Sequence, residues 1–331
     1  MSQPLRHRFD RRTVLLQLGA LAGTGLLLPR AVRAQGDRPV RFILPVATAS
    51  GVDTIVRAAQ GAFGKALGHP VVVENQPGAG GIVGTSTLVK SAPDGYTLGV
   101  VSNNHVIYPS VYKSVPFDPI NDITPIAIVG TTPIIVLVNP RVPANNAKEL
   151  VALLKTKPGQ LNYASSGNGT ILHLAAEMFV DEAGGKANHI PYKGVGPMVT
   201  DLIGGQVDFG TAALPSVQAY LKSGALRAIG VGSAARVSAA PEIPTLVEQG
   251  MPNYLVEGWF AVIAPKGLPA AEVKRLHDVV VSAFAAPEVR EAMAKQGNSI
   301  NVSTPEFAGE FFRSEMAKYA RLVKKAGLAL Q

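Results

Sequence analysis

From residue 40 onwards, short apolar and β-branched runs alternate with segments whose apolar residues recur at helical spacing. Residues 40–46 (VRFILPV) read as a short buried strand, with Pro39 before it and Pro45 near its end, and residues 47–51 are all small. A helix is expected from Asp53, with Ile55, Val56 and Ala59 on its inner side. Further strands are read at 70–74 (PVVVE), 96–101, 125–138, 161–164, 189–192, 207–211, 226–233 and 257–265. Helices are expected at 82–90, 143–157, 171–182, 196–203 and 215–222, with a short one within 241–250. Three more close the chain, at 270–285, 287–296 and 305–326. The alternation places the chain in the α/β class.

Two of the strand-to-helix connections are alike. Residues 47–51 (ATASG) and 165–170 (SSGNGT) are turns of small and polar residues running directly into a helix. The first amides of a helix lack intrahelical acceptors, and the helix dipole adds a positive field there. Each turn is thus a ready anion site, or else an ordinary capped helix start. Facing each other across a gap, the pair can hold both ends of an anionic ligand. Each dipole is worth about 1 kcal/mol and each charge-assisted bond about 1.5–3 kcal/mol, enough for the roughly 8 kcal/mol of micromolar binding. A third glycine-rich connection, 75–81 (NQPGAGG), has the spacing G-x-G-G-x-x-G rather than the dinucleotide fingerprint. The acid nearest the expected distance, Asp94, sits in a turn, so close helix–sheet packing is the expected role. The strand at 96–101 ends in Ser102-Asn103-Asn104-His105, where Asn103 and Asn104 are candidates for the cleft or for turn chemistry.

Charge changes the picture at the N-terminus. Arg6, Arg8, Arg11 and Arg12 precede an uncharged stretch at 13–28, with Ala31 and Ala34 at the expected cleavage positions. Residues 1–34 read as an export signal, too short in its apolar part for a comfortable membrane span, with Gln35 opening the mature chain. Arg11-Arg12 with Val14-Leu15 is similar to a twin-arginine signal, from which Asp10 and Leu16 depart, so that route and the general secretory one both stay open. The expected location is the periplasm. Removing this segment takes Lys+Arg from 31 to 25 and Asp+Glu from 23 to 22, so the net charge falls from +8 to +3. A chain so weakly charged, with no basic clusters interleaved with aromatics, is a poor nucleic-acid binder. The 331 residues less 34 leave 297, enough for two domains. There are no cysteines, which excludes disulfides and thiolate chemistry. No H-E-x-x-H occurs, and His105, His173 and His189 lack paired ligand spacing, so no metal or cofactor is expected.

Taken in order, a set of motifs spans the mature chain: ENQPGAGG at 74–81, APDGYTL at 92–98, PFDP at 116–119, YASSG at 163–167, HLA at 173–175, PYKG at 191–194, GGQVD at 204–208, PTLVEQG at 244–250 and WFAVIAP at 259–265. On these the chain resembles the substrate-binding proteins of the tripartite tricarboxylate transporters, the Bug family of periplasmic receptors. The resemblance implies an α/β, two-lobed periplasmic binding protein fold of type II, with two mixed or parallel sheets flanked by helices and two hinge crossings. The crossings are expected near Val138 and Gly258, giving lobe 1 at 35–138 with 258–331 and lobe 2 at 139–257. It implies a monomer that captures a small carboxylate by hinge closure and delivers it to membrane transporter subunits. The ligand class would be a di- or tricarboxylate, an acidic amino acid or an aromatic acid.

The family grips a carboxylate with two loops, which here are the two turns already singled out. The candidate ligand residues are Ala47, Thr48, Ala49, Ser50, Gly51 and Asp53 from the first, and Ser165, Ser166, Gly167, Asn168, Gly169 and Thr170 from the second. Asn103, His173 and Tyr192 complete the set, and Lys193 is a further candidate for the far wall. Asp53 can instead serve its helix's first turn, and His173 can pair with Glu177 one turn on. Two departures from the family pattern touch the pocket rim. Ser50 stands where a glycine is common, and Thr170-Ile171-Leu172 precede His173 where Ser-Pro-Ser is common. The larger Ile171 and Leu172 lean toward a less polar ligand such as an aromatic acid. The rival reading is an exported hydrolase using Ser165 or Ser166 with His173 and Asp208, against which stands the absence of any G-x-S-x-G elbow. A ligand-sensing transcription regulator is excluded by an export signal where a DNA-binding helix pair would stand.

Overall fold

Residues 38–325 and 327 are described by a computed structural model; the expected export signal lies outside the described residues. Strand β1 (Val40–Leu44) leads to α1 (Gly51–Leu67), β2 (Val71–Asn75), a 3-10 turn at Ala79–Gly81, α2 (Ile82–Val89), β3 (Thr97–Ser102) and α3 (Asn104–Val111). The long β4 (Ile123–Val138) is followed by α4 (Ala147–Thr156), β5 (Asn162–Ser165), α5 (Ile171–Ala183), β6 (Asn188–Pro191), α6 (Val195–Gly204), β7 (Phe209–Ala213), α7 (Leu214–Lys222) and β8 (Arg227–Val231). Then come β9 (Glu257–Pro265), α8 (Ala270–Ala285), α9 (Pro287–Lys295), β10 (Ser299–Ile300) and α10 (Pro305–Lys325). The short helix expected within 241–250 is a series of turns. Helix α3, with Pro109 inside it, starts where the sequence reading had only a polar strand end.

The strands form two mixed sheets that share β4. In sheet 1, β1 lies between β2 and β3, parallel to both, and β9 runs antiparallel to β3 and to the first part of β4. In sheet 2, β7 and β8 flank the last part of β4, both antiparallel to it, and β5 pairs in parallel with β7 and β6. The change of sheet falls between Pro133, opposite Glu257, and Ile134, opposite Ala213. A proline has no amide to give to a ladder, so it suits the point where one set of pairings stops and another begins. The return passes along Gly232 and Val256, whose amides bond Ile134 O and Gly232 O, before β9 re-enters sheet 1.

Amphipathic helices cover these sheets. Helix α1 buries Ile55, Val56, Ala59, Phe63 and Leu67, the i, i+4 pattern that puts one stripe on the sheet. Phe63 packs between Phe42 of β1 and Phe284 of α8, with ring centroids 4.8 and 5.7 Å away. Each such ring taken from water contributes about 1.5–3 kcal/mol. Because β1 and β5 each end at the same side of their own sheet as the helix that follows begins, the turns after them are free to form a site.

Candidate functional site

A cleft of about 580 Å³ lies between these two turns. One wall carries Pro45, Val46, Ala47 and Ser50 with the glycine turn 77–81, all from the sheet 1 side. The other carries Ser166, Gly167, Asn168 and Thr170 with residues 191–195, from the sheet 2 side, while Asn104 and Tyr112 reach in from α3 and just beyond it.

The first turn is held from within. Ser50 caps α1, its hydroxyl accepting from Asp53 N at 3.2 Å. Ala49 has a left-handed backbone (φ 62°), a conformation costing an L-residue about 1–2 kcal/mol. Asp53 holds it there: its Oδ2 accepts from Ala49 N at 3.0 Å, and its Oδ1 accepts from Arg57 Nε and Asn75 Nδ2, each at 2.9 Å. Asp53 is buried and occupied by these bonds, so it supports the turn rather than bordering the cleft. Thr48 and Ala49 are exposed outside the walls, and Gly51 is buried against Ala213. Ala47 and Ser50 are the residues of this turn that border the space.

The second turn presents donors. Among the described residues the amides of Ser166 and Asn168 meet no acceptor. Ser166 Oγ lies 3.1 Å from Thr170 Oγ1, and Thr170 caps α5 by accepting from His173 N at 3.3 Å. Gly169 bends away from the cleft, and its amide donates to His173 Nδ1 at 3.0 Å. That bond requires an unprotonated Nδ1, so the imidazole proton sits on Nε2, 3.6 Å from Glu177 Oε1. His173 stacks on His189 with centroids 3.8 Å apart, and His189 stacks on Tyr163, whose hydroxyl bonds Glu177. Burial, and then His173 beside it, push His189 down to about 4. Burial works against the charge on Glu177, yet the bonds from His173 and Tyr163 hold it below the ordinary carboxylate range. Ser165 is fully buried, 2.6 Å from His189 Nε2. Ser165, Gly169 and His173 therefore form the floor under the turn, and Ser166, Gly167, Asn168 and Thr170 its face.

Tyr192 borders the cleft with its hydroxyl donating to Asp201 at 2.8 Å; burial and that carboxylate push its phenol up to about 12. Lys193 beside it is exposed, has no ion-pair partner among the described residues, and is the sole charged side chain on the cleft walls. Among the described residues no acid borders the space.

Other expected residues lie elsewhere. Asn103 is fully buried: its Oδ1 accepts from Trp259 N at 2.9 Å, and its Nδ2 donates to Tyr319 OH at 2.7 Å and to Glu257 O at 3.2 Å. It braces the return strand, and its neighbour Asn104 faces the cleft instead. Ile171 and Leu172 are buried in the core away from the walls, so they give no ground for an aromatic ligand. The residue types of a hydrolytic triad are not assembled: His173 is engaged by Gly169, Ser165 is sealed from the cleft, and Asp208 accepts from Asn162 N beside a different hollow. The glycine turn 77–81, expected to serve close packing, also forms a wall. A Cβ at Gly81 would lie 2.8 Å from Pro45 O, and one at Gly84 would lie 2.7 Å from Gln76 O. Its signal in the sequence is the glycine density itself, a feature it shares with the turn at 165–170.

Comparison with known proteins gives a consistent result. Residues 55–328 match the tripartite tricarboxylate transporter family receptor. The chain is 34% identical over 313 residues to protein BugT of Bordetella pertussis, covering 94% of this chain and 96% of that protein. Among solved structures it is similar to the periplasmic binding protein BugD, at a TM-score of 0.85 and 32% identity over 89% of this chain and 99% of that one. It is also similar to an R. palustris protein solved with adipate, at a TM-score of 0.86 and 26% identity over 90% of this chain and 100% of the other. With its two lobes built on two sheets around a donor-lined cleft, the chain belongs to the family of tripartite tricarboxylate transporter receptors, the Bug-type periplasmic binding proteins.

Proposed function

We propose that this chain captures a small carboxylate in the cleft between its lobes and delivers it to a membrane transporter from the periplasm. The observation that carries the reading is the composition of the walls: two capped helix starts, amides without acceptors, hydroxyls and one free lysine, with no acid. A carboxylate accepts from such donors and meets no like charge. The relative that binds adipate supports a dicarboxylate of similar length. In this reading Ser50, Ser166, Gly167, Asn168, Thr170, Tyr192, Lys193 and Asn104 face the ligand. Asp53, Asn103, Ser165, Gly169 and His173 hold the facing groups in place. Lobe 1 is built on sheet 1 and lobe 2 on sheet 2. They cross over at Pro133–Ile134, five residues before the Val138 expected from the family, and again beside Glu257, next to the expected Gly258. The protein acts as a monomer, reaches the periplasm by the signal at 1–34, and performs no chemistry on its cargo.

A thermal-shift screen of mono-, di- and tricarboxylates tests this, because a ligand that binds only the folded form raises the melting temperature. Dicarboxylates near adipate in length are expected to give the largest shifts. No shift with any carboxylate at millimolar concentration would overturn the reading.

A further inference from the structure

Three glycines meet the opposite lobe so closely that none has space for a β-carbon. A Cβ on Gly51, the first residue of α1, would lie 2.8 Å from the Cβ of Ala213 at the end of β7. One on Gly194 would lie 2.6 Å from the Cβ of Ala47, and one on Gly169 would lie 2.2 Å from Val111 Cγ1. Carbons in contact sit about 3.5–4.0 Å apart, so a methyl group at any of these positions forces the lobes to separate. Gly169 and Gly194 have positive φ values of 66° and 114°, and their backbones call for glycine whatever lies opposite. Gly51 differs. Its φ is not positive, it lies within a helix where alanine is the better former, and it does not border the cleft. The missing side chain at 51 is accounted for by Ala213 alone.

We propose that Gly51 and Ala213 form the closure stop of this receptor: the bare Cα at 51 sets how near the lobes approach, and so whether donors from both walls reach one ligand. Gly51 is thus a positioning residue that touches no ligand. The inference rests on the carboxylate-receptor reading above for its binding consequence, and on the contact itself for its geometry.

Three variants of the full chain test it. In Gly51→Cys/Ala213→Cys the introduced residues carry the only thiols, since the chain has no cysteine of its own. Disulfides span about 3.8 Å between Cβ atoms, so a slight relaxation of the present contact admits the bond. Mild oxidation is expected to remove both thiols in the monomer; thiols that persist would overturn the closeness of the two lobes at this point. Gly51→Ala is expected to keep the wild-type melting temperature without ligand while binding adipate about tenfold more weakly, as a tenfold smaller closed population requires. Adding Ala213→Gly takes away the methyl group that the new one meets, and is expected to restore affinity to within about twofold of wild type. Unchanged affinity in Gly51→Ala, or no recovery in Gly51→Ala/Ala213→Gly, would overturn the closure stop. If the wild type itself ignores every carboxylate, it is the receptor reading that fails, and the cross-link still decides the contact.

Discussion

Asn104 accepts a hydrogen bond from Ile171 N through Oδ1 at 2.9 Å, so the first residue of α3, which follows a strand of sheet 1, takes up a free amide at the start of α5, which follows a strand of sheet 2. Its Nδ2 donates to Gly80 O at 3.2 Å. One carboxamide thus ties together the glycine turn, α3 and the helix start after the turn at 165–170. Tyr112 OH adds a weaker link to Asn168 O at 3.5 Å.

Replacing Asn104 with alanine leaves the Ile171 amide and the Gly80 carbonyl without these partners. A net hydrogen bond is worth about 1 kcal/mol, and the one to Ile171 joins the two walls, so its loss lowers affinity for a bound carboxylate about fivefold. Isothermal titration of Asn104→Ala with adipate checks this. Ile171 is buried and Gly80 half-buried, so the melting temperature of the unliganded protein is also expected to fall.

Asp53 and Ala49 are expected to be coupled. Asp53→Ala removes three acceptor contacts from a buried carboxylate, and a loss of about 3 kcal/mol is expected from charge-assisted bonds of about 1.5–3 kcal/mol each that do not add fully. Ala49→Gly relieves the left-handed strain and is expected to stabilise by about 0.5–1 kcal/mol. In urea unfolding, Asp53→Ala is expected to cost less in the Ala49→Gly background, because one of its tasks there has disappeared. Strictly additive effects would show that Asp53 does not hold Ala49.

Among the described residues Lys193 supplies the cleft with its sole charged side chain, on an exposed part of its wall. Lys193→Ala is expected to weaken dicarboxylate binding about tenfold at low salt, with no change in thermal stability. Exposed charges are screened over about 8 Å at physiological ionic strength, so wild-type affinity is expected to fall with added salt and the variant's affinity to stay nearly flat. Parallel titrations with and without added salt decide it. Equal salt dependence would place the lysine outside the binding event.

Acid is expected to weaken the fold through His105. Burial pushes its imidazolium down from 6.5 to about 4, although the bond to Pro119 O at 2.7 Å acts in the other direction. The unfolded chain takes up this proton as pH falls through 6.5, and the folded chain only near 4. The unfolded state therefore binds more protons in that window, so stability is fully present above it and declines on acidification through it. The loss is on the order of 3 kcal/mol by its lower end, and His189, also pushed down to about 4, adds in the same sense. Melting temperatures at about pH 7 and about pH 4.5 are expected to differ less in His105→Gln than in the wild type.

The periodicities of strand and helix, and the caps at Ser50 and Thr170, follow from the order of residues, because they depend on neighbours within one turn of backbone. The sequence by itself therefore determined the α/β alternation, the two donor-rich turns and the family. Only the tertiary structure decided which side chains in those turns face the cleft. Asn103 and Asn104 are identical and adjacent, yet one is sealed against Trp259, Glu257 and Tyr319 while the other bonds Gly80 and Ile171. Asp53 and His173, which carry the right chemistry for a ligand, are already engaged by Ala49 and Gly169. The change of sheet at Pro133 and the contact of Gly51 with Ala213 join segments far apart along the chain. Such contacts depend on how two sheets are placed against each other, and no local pattern of residues encodes that distance.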